Sequence, residues 1–133
     1  MNLSVHVSGV RQDTAVVAVD GELDVSTAAL LEAVLLPLPG QGVRHLIVAA
    51  DRLRFCDVCG FRVLAGMHTI LVAIGGALVL AEPTPVLRRL TDLMQRPPTS
   101  LSDSPIRVYA TVVQALREEA GRPLSSVAAL GPP

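Results

Sequence analysis

Two cysteines, Cys56 and Cys59, are separated by two residues and enclose Asp57 in the segment Cys56-Asp57-Val58-Cys59. A thiolate at the start of a helix has a lowered pKa and reacts readily, and a C-x-x-C pair between a strand and a helix is typical of thioredoxin-like oxidoreductases. The segment therefore supports a hypothesis of a redox-active thiol pair. A structural interpretation stands beside it, because the predicted strand points Cys56 into the core, where cysteine behaves as a small hydrophobe.

Two acidic residues precede predicted helices. Asp57 comes directly before the second helix, so its carboxylate can accept hydrogen bonds from the first free backbone N–H groups as an N-cap. Asp24 comes before the first helix, where an acid is often a solvated first-turn residue. An N-cap role for Asp57 is compatible with a contact to a partner.

The remaining sequence lacks the motifs of common enzymes. It contains no phosphate-binding G-x-x-x-x-G-K loop, no G-x-S-x-G nucleophile elbow and no cluster of residues with metal-ligand spacing. The sequence therefore predicts a protein that catalyses no reaction and needs neither a cofactor nor a metal.

The spacing of apolar residues predicts alternating strands and helices. Half of the 133 residues are hydrophobic and 17% are charged, which is enough apolar material for one domain. A polar segment, Gly9–Thr14, suits a hairpin between the first two strands. The predicted strands are Leu3–Ser8, Ala15–Val19, Arg44–Ala50, Ala77–Ala81 and Ile106–Tyr109. Four helices are predicted: one after Ser26-Thr27, one that begins near Val58, one over Thr84–Met94 and one after Thr111.

This order predicts βαβ units, and hence an α/β fold with a mostly parallel sheet, an N-terminal antiparallel strand pair and helices packed against it. We expect a loop at Asp51–Arg54. Glycine and proline signals end the helices: Gly75-Gly76 the second, Pro97-Pro98 the third and Gly121 the last. The domain is expected to span residues 1–121, with a mobile tail over residues 122–133.

Composition argues against several classes of partner and location. With a net charge of −1 and three aromatic residues, the chain has neither a basic stripe nor a stacking platform for nucleic acid. Met1–Val10 lacks the features of a secretory signal, which predicts a cytoplasmic protein. Val63–Ala81 is uncharged and nearly long enough to span a membrane, but Gly75-Gly76 interrupts it, as in a helix followed by a buried strand. We expect no membrane contact.

Three segments resemble, in the same order, the signatures of the STAS domains of bacterial anti-sigma factor antagonists: Val19–Asp24, Arg44–Val48, and Arg54–Asp57 before Gly60. The resemblance covers about residues 3–120. It implies a non-enzymatic module that binds an anti-sigma factor, itself an ATP-binding serine kinase, and thereby frees a sigma factor. We expect the chain to be a monomer or weak homodimer. The implied partner-binding residues are Asp24, Asp57, Val58, Cys59 and Gly60.

In the family's F-x-D-S-S-G segment, a regulatory serine directly follows the aspartate. Val58 and Cys59 replace the two serines of that segment. Phosphorylation of the first serine would add about −1.5 to −2 charges to the binding surface. Because Val58 has no hydroxyl, the resemblance implies an antagonist without the usual phosphorylation site. Two alternatives stay open: a thioredoxin-like or redox-sensing protein that uses Cys56 and Cys59, and a structural subunit of a large assembly.

Overall fold

The computed structural model describes residues 2–95 and 104–120. The predictions for Pro97-Pro98, for Gly121 and for a tail over residues 122–133 lie outside these ranges. The strands are β1 (Leu3–Arg11), β2 (Thr14–Leu23), β3 (His45–Cys56), β4 (Ala77–Ala81) and β5 (Val108–Tyr109). The helices are α1 (Ala28–Leu35), α2 (Val58–Ala73), α3 (Pro85–Met94) and α4 (Val112–Ala120), with a 3-10 turn at Pro39–Gln41.

The strands form one sheet in the order β1-β2-β3-β4-β5. β1 and β2 pair antiparallel through a tight turn, and each later neighbour pairs in parallel. Parallel neighbours need a crossover connection, which the helices supply. The predicted fold class, an α/β domain with a mostly parallel sheet and an antiparallel N-terminal pair, is confirmed.

Helices cover both faces of the sheet. The larger core lies on one face, where α1, α2 and α3 pack together with the sheet. On the other face, α4 packs over Ile47 and Val79 through Ala115. The largest fully buried side chains are Leu23, Leu31, Leu35, Leu46, Ile47, Leu53, Phe61, Leu64, Leu71, Leu78, Leu80 and Leu87.

The prediction of a loop at Asp51–Arg54 is wrong, because β3 continues through this segment to Cys56. β2 likewise extends to Leu23, and the two strands stay paired across two register shifts. The charged side chains of this segment are exposed, and Arg54 lies 3.3 Å from the Asp20 carboxylate of β2, whereas Leu53 is buried. The three charged residues of the segment suggested a loop, whereas pairing with β2 and burial of Leu53 in the core keep it extended.

The uncharged run from residue 63 to residue 81 divides between two elements. α2 ends at Ala73, a turn follows at Gly75 and Gly76, and β4 is buried along its whole length. A side chain at Gly76 would collide with the carbonyl oxygen of Arg44, so the turn packs directly on the chain before β3. Among the described residues, no helix is both long and apolar enough to cross a membrane.

The start of the chain is fixed beside the end of β2. The N–H of Glu22 donates to the carbonyl oxygen of Asn2 at 2.9 Å. Gly21 has a φ of 125°, and a Cβ there would collide with the same carbonyl group. Only glycine allows this close crossing of the two backbones.

The last turn of α4 is anchored by Glu119, which is 3% exposed. Its carboxylate accepts hydrogen bonds from the Arg107 guanidinium at 2.8 Å and from the Tyr109 hydroxyl at 2.6 Å, and His45 Nδ1 lies 3.8 Å away. Burial alone would raise the pKa of Glu119, but its polar contacts with His45, Arg107 and Tyr109 and the charge of Arg107 outweigh burial and bring the pKa to about 2. The carboxylate is therefore a charged structural anchor.

His68 of α2 is buried and bonded through both ring nitrogens. Nδ1 accepts the N–H of Leu78 at 3.1 Å, and Nε2 lies 2.9 Å from the carbonyl oxygen of Ser104. These bonds require the neutral ring protonated at Nε2. Burial is the main cause that lowers the pKa of His68 below its ordinary value. His68 thereby ties α2 to β4 and to the chain that enters β5.

Candidate functional site

Asp57 is the N-cap of α2, as predicted. Its backbone is extended, with φ of −99°, and its carboxylate oxygen Oδ1 accepts the N–H of Gly60 at 2.8 Å. Its own N–H donates to the carbonyl oxygen of Leu23 at 3.1 Å. The first turn of α2 is therefore fixed to the end of β2 as well as to the end of β3.

Gly60 brings this turn close to the core. It is buried, and a Cβ at this position would lie 2.6 Å from both Cγ and the carbonyl oxygen of Leu23. Because one of these atoms belongs to the backbone, a larger residue cannot be accommodated by rotating a side chain. Gly60 therefore sets the distance between α2 and the end of β2.

Asp24 is buried and is not a solvated first-turn residue. Its carboxylate accepts hydrogen bonds from the N–H of Ser26 at 2.8 Å and from the Ser26 hydroxyl at 2.6 Å. The hydroxyl bond is the main cause that lowers the pKa of Asp24. Thr27 is the N-cap residue of α1, but its hydroxyl donates to the carbonyl oxygen of Glu22 at 2.7 Å and makes no cap bond. The side chains before α1 thus stabilise their own loop.

The two cysteines are free thiols in different environments. Cys56 is buried, whereas Cys59 is exposed in the first turn of α2. Burial, and then the charge of Asp57, raise the pKa of Cys56 to about 12. A thiol with this pKa is protonated at neutral pH and is a poor nucleophile. The structural interpretation of Cys56 is therefore favoured over a reactive role.

Several exposed apolar side chains lie near the start of α2. Val58 is 41% exposed and lies beside the exposed Cys59. Phe55 and Val25, which are not among the predicted site residues, are 44% and 76% exposed. Val25 lies just after β2, and Phe55 lies near the end of β3. Because Asp57 links the ends of these two strands, both residues lie at the same edge of the sheet. The sequence contained one signal for the exposure of Val25, because this apolar residue lies between Asp24 and Ser26, whose polar side chains form the loop. We name Val25, Phe55, Val58 and Cys59 the apolar rim.

The described residues hold no group of three or more His, Cys, Asp or Glu side chains that could bind a metal ion. Asp24, Asp57, Val58, Cys59 and Gly60 do come together at the carboxyl edge of β2 and β3, but they divide into two sets. Asp24, Asp57 and Gly60 hold the backbone, whereas Val58 and Cys59 face solvent. This arrangement is suited to binding a surface.

Comparisons with known proteins agree with this fold. The STAS domain family matches residues 7–115. The anti-sigma factor antagonist SpoIIAA, in its unphosphorylated form, is 24% identical, with a TM-score of 0.74 over 90% of this chain and 99% of that chain. An anti-sigma factor antagonist from Mycobacterium paratuberculosis is 23% identical, with a TM-score of 0.73 over 90% of this chain and 95% of that chain. The murine anion transporter Slc26a9 is 13% identical, with a TM-score of 0.68 over 91% of this chain but 22% of the transporter. The chain belongs to the STAS domain family.

Proposed function

We propose that this chain is an anti-sigma factor antagonist, a cytoplasmic regulatory module that binds an anti-sigma factor and thereby releases a sigma factor. Membership of the STAS family and similarity to proteins described as anti-sigma factor antagonists support this role. The observation that carries it is the exposed first turn of α2, where Val58 and Cys59 face solvent above a backbone that Asp57 holds in place.

The apolar rim has the character of a docking surface. The cores of protein interfaces are depleted in charged residues and enriched in aromatic ones, and the rim combines Phe55 with Val25 and Val58. Its backbone is held by the Asp57 cap and by the hydrogen bonds of Asp24. A surface that is ordered before binding loses little conformational entropy when the partner docks.

The proposed partner is an anti-sigma factor of the ATP-binding serine-kinase type. SpoIIAA of Bacillus, to which this chain is similar, has a phosphorylated form. In the family segment that this sequence resembles, the regulatory serine follows the aspartate, where this chain has Val58. Without a hydroxyl there is no phosphoryl acceptor at that position. We therefore propose an antagonist that behaves as if permanently unphosphorylated.

Substitution of Val58 tests the docking site. The change Val58→Asp should weaken binding to the anti-sigma factor by at least about tenfold, because it places an unpaired charge in an apolar interface. Val113→Asp is a matched control, since Val113 is also an exposed valine in the first turn of a helix but lies on α4. Affinity is measured by calorimetry with the kinase-like protein recovered from the native cell extract. Equal affinities for the two variants would remove Val58 from the site.

A kinase assay tests the missing switch. Incubation with the partner and ATP should leave the wild-type chain unmodified, whereas Val58→Ser should gain phosphate at residue 58 and lose binding. Phosphate on Ser26 or Thr27 of the wild-type chain, with loss of binding, would mean that the switch has moved. The sites are mapped by mass spectrometry.

The proposed role is not enzymatic. We expect no reduction of insulin disulfides above a buffer blank, because the thiol of Cys56, with a pKa of about 12, stays protonated at neutral pH. Turnover in this assay would favour the redox alternative built on Cys56 and Cys59.

A further inference from the structure

Part of the outer side of α2 is apolar and exposed. From Val63 to Ala73 the helix carries no formal charge, and Ile70 in the helix and Ile74 at its C-cap are each 41% exposed. Apolar side chains exposed on a surface can mark an interface. The sheet covers the inner side of α2 and α1 packs beside it, which leaves these apolar side chains available to a second surface.

An open groove of about 100 Å³ runs between α1 and α2 on this side. Gly66 lines the groove from the middle of α2, and a Cβ added there would meet no atom within 4 Å. Glycine inside a helix weakens it relative to alanine. Because nothing within the described chain requires a glycine at this position, the missing side chain leaves room for something that approaches from outside.

Two opposite charges line the groove from its two sides. Glu32 lies on α1 and Arg62 on α2. Among residues 2–95 and 104–120, neither side chain has a hydrogen bond or an ion-pair partner. An acidic residue on one side of the groove and a basic residue on the other give a surface whose charges are complementary to those of a second copy related by a two-fold rotation.

We propose that the occupant of this groove is a second copy of the chain, packed through the same α1–α2 surface. In this two-fold dimer, Glu32 of each copy pairs with Arg62 of the other. The absence of a side chain at Gly66 lets the two α2 helices approach closely, and Ile70 and Leu36, which is 50% exposed, become buried. A net charge of −1 per chain gives little repulsion between copies.

This surface adjoins the apolar rim but contains none of its residues. The groove lies along the side of α2 from Arg62 to Ile70, whereas Val58 and Cys59 lie in the first turn. The dimer can therefore be measured without the anti-sigma factor, and its failure would leave the proposed function unaffected.

Sedimentation velocity over a concentration series tests the dimer. Arg62→Glu and Glu32→Arg should each raise the dimer dissociation constant by at least about tenfold, because like charges then face each other across the interface. An equal mixture of these two variants should recover a dimer that contains one chain of each kind, since every pair in the mixed dimer joins opposite charges. Arg89→Glu on α3 is the matched control, because Arg89 is exposed and does not line the groove.

Gly66→Gln gives an independent test that should not harm the fold, because the position is open and glutamine favours helix. It should abolish the dimer. A wild-type chain that stays monomeric up to roughly 1 mM would overturn the proposal. The proposal also fails if the variant mixture remains monomeric, or if Arg89→Glu weakens the dimer as much as Arg62→Glu. A monomeric chain whose Gly66→Gln variant loses affinity for the anti-sigma factor would assign the groove to that partner instead.

Discussion

The first turn of α2 and the last turn of α4 each contain a carboxylate that accepts hydrogen bonds, but the bonds join different parts of the chain. Asp57 accepts a backbone N–H only three residues away, and its neighbours Val58 and Cys59 remain exposed. Glu119 accepts from Arg107, directly before β5, and from Tyr109 on β5, and it is buried. The difference teaches that long-range polar contacts hold the fold, whereas a local cap leaves the adjacent side chains free for a partner.

The largest expected effect on stability comes from removing the charge of Glu119. Glu119→Gln should lower the free energy of unfolding by about 3 kcal/mol, because it breaks a buried ion pair and leaves Arg107 without its counter-charge. Glu118→Gln is the matched control, since Glu118 is exposed on the same turn. Urea denaturation measures both variants. Equal stabilities would mean that Glu119 is not an anchor.

The same anchor predicts a pH dependence. The pKa of Glu119 is lowered from 4.5 to about 2 in the folded chain. A depressed carboxyl pKa stabilises the fold above the unfolded value, and this contribution is lost as the pH falls from 4.5 towards 2. The free energy of unfolding should therefore decrease in this range for the wild type and decrease less for Glu119→Gln. Parallel curves for the two proteins would contradict the assignment.

A smaller effect is expected where α2 approaches β2. Gly60→Ala should destabilise the chain by about 2 kcal/mol, because the new methyl group overlaps the backbone of Leu23. Gly66→Ala, with open space at its Cβ, should instead stabilise it by up to about 1 kcal/mol through helix propensity. Thermal unfolding of both variants gives the comparison, and a loss of stability at Gly66 would show that its position is not open.

The smallest effect is expected at the cap. Asp57→Ala should lower the free energy of unfolding by about 1 kcal/mol, while Asp57→Asn should preserve most of it, because asparagine also caps helices. The affinity for the partner distinguishes a capping role of Asp57 from a direct contact between Asp57 and the partner. If Asp57 acts only as a cap, Asp57→Asn binds like the wild type; a weakened Asp57→Asn would mean that the charge itself touches the partner.

Local rules were sufficient to predict the elements around α2. Asp57 as a cap depends on the residues that follow it directly, and the inward direction of Cys56 depends on strand alternation; both are confirmed. Gly75-Gly76 as the end of α2 is another local signal, and it is also confirmed. The fold class followed from the order of such elements.

The features that could not be predicted depend on residues far apart in the sequence. The Glu119 anchor joins α4 to β5 and to His45 at the start of β3, so no sequence window contains it. The extension of β3 through Asp51–Arg54 depends on pairing with β2, and hence on tertiary structure. Phe55 was not selected because its residue type is usually buried, and its exposure depends on which elements cover that end of the sheet.

The position of Asn2 has a practical consequence for attaching this protein to other molecules. Its carbonyl oxygen is bonded to the N–H of Glu22, a residue that pairs with Phe55, so the beginning of the chain lies close to the apolar rim. α4, by contrast, ends near His45 at the opposite edge of the sheet. A fluorophore, an affinity tag or a sensor surface joined ahead of Asn2 would crowd the proposed docking face, whereas attachment beyond Ala120 would present that face outward.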